Sequence, residues 1–102
     1  MSQNFIDQVR SIVLSNISEE KFGVRELSSQ LGLRSSKTLR KVKAATGKSV
    51  NQYNRELCLE KAAKLIKKKD LSITEISYQV GFGSASYFNT AFSNYYILVP
   101  GE

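Results

Sequence analysis

The stretch Ile73-Thr-Glu-Ile-Ser-Tyr-Gln-Val-Gly-Phe82 repeats Val24-Arg-Glu-Leu-Ser-Ser-Gln-Leu-Gly-Leu33 at an offset of 49 residues. Glu26/Glu75, Ser28/Ser77, Gln30/Gln79 and Gly32/Gly81 are identical, and apolar positions pair with apolar ones. With Gly83 taken as one extra turn residue, Val42 pairs with Phe92. Each copy reads as a short helix, a glycine turn and a longer helix, the helix-turn-helix unit. Ser28 and Ser77, half-way along each short helix, are small enough to let two helices pack closely. Tandem helix hairpins also build purely structural bundles, so the duplication alone leaves the function open.

Working outward, Phe5, Ile6, Val9, Ile12, Val13 and Ile17 recur at three- and four-residue spacing and predict one apolar stripe on a first helix. After the polar break Ser18–Lys21, a short helix is expected from Val24 to Gln30, with Val24, Leu27 and Leu31 inward and Gly32 stopping it. A hydroxyl of Ser35 or Ser36 is expected to cap the next helix, which should run to about Thr46 and end at Gly47. Ser49 then opens a longer helix through roughly Lys69, with Tyr53, Leu57, Ala62, Leu65 and Ile66 on or beside its buried side. Lys67, Lys68 and Lys69 suit its last turn, where cations favour the carbonyl end of the dipole; phosphate contact is the competing role. Ser72 opens a short helix with Ile73, Ile76 and Val80 as its core edge. Gly81-Phe-Gly83 makes the turn, and Ser84 caps a last helix carrying Phe88, Phe92 and Tyr95. No segment alternates at period two. The expected fold class is therefore all-α, two helix-turn-helix subdomains joined by a long connecting helix, divided as 1–48, 49–69 and 70–102 within a single domain of 102 residues. The connector, at 1.5 Å per residue, spans on the order of 30 Å, close to the roughly 34 Å between successive major-groove faces of a duplex.

Charge points the same way. The formal net charge is +6, yet no acid lies between Leu27 and Asn54, where Arg34, Lys37, Arg40, Lys41, Lys43 and Lys48 crowd together. Residues 71–102 hold no Lys or Arg. A concentrated positive field suits a polyanion, because each neutralised phosphate releases counterions. Histidine is absent and Cys58 is the only cysteine. Within one chain, disulfides, His/Cys metal sites and the Ser-His-Asp and Cys-His nucleophiles are thereby excluded. No enzyme activity, cofactor or metal is expected. The longest apolar run, Tyr95–Val99, is too short to cross a bilayer, and nothing near Met1 reads as a signal peptide. A reduced, cytoplasmic domain without membrane contact is expected.

The segment Ile73 to Phe92, followed by Pro100, is similar to the signature of the AraC/XylS family of bacterial transcription regulators: Ile, Glu-Ile-Ala, Val-Gly-Phe, Ser-Tyr-Phe, then Phe and a closing Pro. Leu39-Arg-Lys-Val-Lys43, Thr46-Gly-Lys-Ser49 and Leu59-Glu-Lys-Ala-Ala-Lys-Leu-Ile66 resemble the family's first recognition helix and connecting helix. The resemblance implies a DNA-binding domain of about seven helices, tandem homeodomain-like units whose longer helices, about 35–46 and 84–94, enter the major groove of promoter DNA. It also implies recruitment of RNA polymerase. The sequence shows no evident effector pocket or dimerisation helix, so the two readings are a chain that acts alone and a fragment of a longer regulator with an attached sensor or effector domain. The phrasing around Leu39 to Ser49 is similar to output domains of hybrid two-component regulators.

Carried over by position, DNA contacts fall on Ser35, Ser36, Lys37, Leu39, Arg40, Lys41 and Lys43 in the first unit, and on Ala85, Ser86, Asn89 and Thr90 in the second. Arg40 can fork onto guanine O6 and N7 or clamp a phosphate. Lys37, Lys41 and Lys43 supply affinity more than specificity. Leu39, if outward, touches a thymine methyl, and otherwise belongs to the core. Asn89 can pair with adenine N6 and N7. Tyr87, Phe88 and Phe92 are assigned to the core. The second unit's longer helix has no cation where the family often places one, so weak binding is expected of it.

Four positions depart from the family. Arg34 stands for the capping Ser. Thr38 stands for a buried Leu, so either Thr38 turns inward and satisfies its hydroxyl on the backbone or Leu39 packs instead. Cys58 stands for an Arg and reads as packing rather than redox sensing. Ile97 stands for the Gly after the last recognition helix, where positive φ would cost a β-branched residue about a kcal/mol or more, so a rebuilt or strained turn is expected. The rival function is a helical interaction module docking an acidic partner protein through its basic face. Single-stranded or RNA binding ranks below it, because the aromatics sit at core spacing.

Overall fold

The structure is a computed structural model that describes residues 4–68 and 70–98, the side chains of Ile97 and Leu98 excepted. Six α-helices occupy these residues: α1 (Phe5–Ser15), α2 (Val24–Leu31), α3 (Ser35–Thr46), α4 (Val50–Lys68), α5 (Ile73–Gln79) and α6 (Ala85–Leu98). The resemblance implied about seven; Lys69 and residues 99–102 lie outside the described residues. The chain divides into two compact units. Each buries its own apolar cluster.

The first unit holds α1, α2, α3 and the start of α4 as far as Leu57. Asn4 caps α1 by accepting from the Asp7 amide at 2.9 Å, as a short polar side chain at an N-cap should. Val9 and Val13 of α1 then meet Leu27, Val42, Val50 and Leu57, with Phe5, Ile6, Ile12 and Tyr53 packed around them. Gly32 closes α2 at φ +72 and Gly47 closes α3 at φ +74, a backbone region that glycine enters without penalty.

The second unit consists of Ile17–Glu20 and the chain from Cys58 onward. Leu59 and Ala62 of α4, Ile76, Val80, Phe82 and Phe88 form its buried cluster. Ser72 and Glu75 make a reciprocal capping box at the start of α5: the Ser72 amide donates to the Glu75 carboxylate at 2.9 Å, and the Glu75 amide donates to Ser72 Oγ at 3.1 Å. Ser84 caps α6 by accepting from the Tyr87 amide at 3.1 Å. Gly81 has no alternative residue: a Cβ there would lie 2.5 Å from the Ile17 carbonyl oxygen, and its φ is +81.

Several expectations are corrected by the structure. Ile17 does not extend the stripe of α1. That helix has ended at Ser15, and Ile17 packs on the second cluster instead. Neither Ser35 nor Ser36 caps α3. Arg34 holds the N-cap place without a side-chain bond, so both serines are already in the first turn. Ile73, the first residue of α5, is 41% exposed rather than part of the core edge. Tyr87 is 51% exposed, its ring leaning on Phe82 at a centroid distance of 5.1 Å. At Ile97 no turn is made: α6 continues through it to Leu98, which spares the β-branched residue the positive φ.

Candidate nucleic-acid interface

The choice between Thr38 and Leu39 decides which face α3 presents. Thr38 is wholly buried and Leu39 is 44% exposed. The Thr38 hydroxyl is satisfied twice. It accepts from Ser28 Oγ at 2.8 Å and donates to the Arg34 carbonyl at 3.2 Å. A buried hydroxyl without such partners would cost about 1–3 kcal/mol, and here the backbone carbonyl of Arg34 and the hydroxyl of Ser28 together let threonine occupy an apolar position. With Val42 one turn further also buried, the rest of α3 is oriented: Ser35, Ser36, Lys37, Leu39, Arg40, Lys41 and Lys43 all lie exposed.

These cations are not equivalent. Lys41 Nζ sits 4.7 Å from the centroid of the Phe5 ring, and Lys43 Nζ donates to the Gly47 carbonyl at 3.1 Å, at the negative end of its own helix. Lys48 is paired with Glu56 of α4. Among the described residues, Lys37 and Arg40 make neither an ion pair nor a hydrogen bond, and they share one face at a spacing of three residues. The uncapped start of α3 also leaves its first-turn amides without a side-chain acceptor.

On α6, Ser86, Asn89 and Thr90 are exposed and Ala85 is half-buried, while Phe88 is 1% exposed. No charged residue lies on this helix. An acid approaches its start: a Cβ on Gly83 would fall 2.5 Å from Glu20 Oε2. Sequence periodicity gave no sign of this carboxylate, because Ser18–Lys21 reads only as a polar break. Among the described residues, the second unit's cations are Lys61, Lys64, Lys67 and Lys68, all exposed on α4. Cys58 is half-buried beside the second cluster, where burial pushes its thiol up to about 11, so it stays protonated and unreactive at neutral pH. Among the described residues no helix is long and apolar enough to cross a membrane.

Two glycine-turned helix pairs, each with a longer helix whose outward face is open, define a DNA-binding domain of the helix-turn-helix class. Comparison with known proteins agrees: the model of the family described as "Helix-turn-helix domain" matches residues 27–102. The chain belongs to that family, in its AraC-type branch. It is 31% identical over its whole length to "Histidine kinase P4" of Formosa agariphila, of which it spans 7%. It is 32% identical over 97% of its length to the virulence regulon transcriptional activator VirF of Shigella flexneri, of which it spans 37%. Among solved structures, the C-terminal domain of the two-component response regulator yesN from Fusobacterium nucleatum matches with a TM-score of 0.82 and 29% identity, covering 95% of this chain and 100% of that one. The chain thus spans well under half the length of these curated relatives.

Proposed function

We propose that this chain is the DNA-reading part of a bacterial transcription regulator and binds duplex DNA with sequence preference. In this reading α3 lies in a major groove, Arg40 forks onto a guanine edge, Lys37 meets phosphate, and Lys41 and Lys43 add long-range attraction. Ser35 and Ser36 line the start of α3, whose open amides suit a phosphate oxygen. In the second unit Ala85, Ser86, Asn89 and Thr90 face a groove of their own with a weaker grip. The chain works as reader, connector and reader, divided at 1–48, 49–69 and 70–102.

The observation that carries this reading is the pair of exposed, unengaged cations Lys37 and Arg40 on a helix oriented by the buried Thr38. That the chain spans only part of its relatives supports an attached sensor domain in a longer, cytoplasmic protein, in the manner of a hybrid two-component regulator, and RNA polymerase is the proposed protein partner. The chain acts by binding. The test is binding to a duplex selected from a random pool, measured across salt. Log affinity should fall steeply and linearly with log salt, at close to one phosphate per engaged cation. A flat response, or retention of acidic proteins with no duplex binding at low salt, defeats the reading in favour of an acidic-partner module.

A further inference from the structure

The second helix pair carries one turn residue more than the first, Gly83, and an acid of the same unit lies against it. The segment Ile17–Glu20 belongs to the second unit and straps over its turn, meeting both glycines there. Ile17 packs on the buried cluster, and a Cβ on Gly81 would strike its carbonyl oxygen. A Cβ on Gly83 would fall 2.5 Å from Glu20 Oε2 and 2.7 Å from Oε1, so the whole carboxylate lies over this one backbone position. Gly83 immediately precedes Ser84, whose side chain accepts from the Tyr87 amide. The amides of Ala85 and Ser86, in the first turn of α6, have no acceptor among the described residues.

The carboxylate stands there without a partner of its own. Glu20 is exposed and makes neither an ion pair nor a hydrogen bond among the described residues. Its charge suits the place, because the start of a helix carries about half a positive charge and attracts anions. The same property lets a helix start hold a phosphate of a duplex backbone. The matched place in the first unit has the opposite sign. There α3 begins at Arg34, the counterpart of Ser84: the carbonyl of each accepts the first bond of its helix, at 3.0 Å. Arg34 is exposed, and a Cβ on Gly32 in the turn before it would meet nothing within 4 Å.

We infer that Glu20 is an autoinhibitory anion of the second unit: it stands in for a DNA phosphate at the start of α6 and holds that unit's grip on a duplex down. This rests on the duplex binding proposed above. The test uses the full chain and the duplex it selects, with single phosphates replaced by uncharged methylphosphonate. Glu20→Gln should raise affinity about fivefold at low salt, the repulsion of two unit charges about 4 Å apart in water. The gain should shrink as salt screens the pair, and protection should strengthen over the second half-site alone. Asp70→Asn, at an exposed acid of the same unit, makes the same change in net charge and should gain far less. At one phosphate of the second half-site, methylphosphonate should strengthen binding of the unaltered chain and weaken binding of Glu20→Gln. That reversal reads a charge at the helix start, which a merely structural role would not produce. Equal gains from Asp70→Asn, or a methylphosphonate effect of one sign in both chains, overturn the inference while leaving duplex binding intact. Absence of duplex binding at low salt overturns both.

Discussion

The two helix pairs close the same turn by different chemistry. In the first, Ser28 and Thr38 join α2 to α3 by a hydroxyl-to-hydroxyl bond of 2.8 Å. In the second, Phe88 occupies the matching place, and Ser77, finding no acceptor across the gap, donates back to the Thr74 carbonyl of its own helix at 2.7 Å. Phe88 instead meets Phe82 edge-on at 5.4 Å and Phe92 at 5.3 Å. The first pair is thus held by a directed polar contact and bears the open cations, while the second is held by aromatic packing and presents an uncharged helix. A duplicated scaffold tolerates this divergence because the turn is set by backbone bonds that both copies retain.

The largest separation between the units should come from truncating the matched inward residues. Phe88→Ala empties a ring-sized space and should cost about 3–5 kcal/mol of unfolding free energy, against about 1–3 for Thr38→Ala, which leaves Ser28 without its partner. Denaturant titration of both variants checks this, and equal losses would break the contrast. Next come the turn glycines. Gly32 and Gly81 share a positive φ, but a Cβ on Gly32 meets nothing within 4 Å, while one on Gly81 strikes the Ile17 carbonyl oxygen at 2.5 Å. Gly32→Ala should cost about 1 kcal/mol for its backbone alone, and Gly81→Ala at least twice that. Similar melting shifts for the two would show that Ile17 yields freely.

Binding should separate the units less steeply but in the opposite direction. Arg40→Ala should lose about 1–3 kcal/mol on the preferred duplex and relax selection at one base pair, as read by competition assays. Thr90→Ala, at the matched place on α6, should lose well under 1 kcal/mol. Equal loss for Arg40→Ala on preferred and scrambled duplexes would assign Arg40 to phosphate alone. The smallest effect sharpens the charge difference itself: Thr90→Arg should steepen the salt dependence by about one unit of slope and strengthen protection over the second half-site. An unchanged slope would mean that α6 does not approach the duplex.

Much of this arrangement is written in spacing. The glycines at positions 32, 47, 81 and 83 mark the turns because a positive φ is nearly their monopoly, and Leu27, Val42, Ile76 and Phe88 declare themselves by period. The failures share a cause, namely that period describes a helix but not where its neighbours stop. Ile73 and Ile17 continue their stripes in sequence, yet one opens α5 beyond its packing partners and the other has left α1 and serves a different cluster. Of the two alternatives at Thr38 and Leu39, the inward threonine with its hydroxyl on the backbone is the one formed, through the Arg34 carbonyl, while the added bond from Ser28, ten residues away, is a pairing no local pattern encodes. The approach of Glu20 to Gly83 was hidden for the same reason, since it joins residues 63 positions apart. For the interface, residue types and the acid-free stretch were legible. Which cations were already engaged, by the ring of Phe5 or the carbonyl of Gly47, was not.

The second unit borrows Ile17–Glu20 from a stretch that emerges between α1 and α2. During synthesis that strap leaves the ribosome some forty residues ahead of Cys58, the start of the rest of its unit, while α1, α2, α3 and the start of α4 can already assemble. It must wait unpartnered until α5 and its glycine arrive. A fragment begun at the connector would therefore lack a piece that the later-made half never carries itself. The two units carry copies of one sequence motif, but only the first is drawn from a single early stretch of chain.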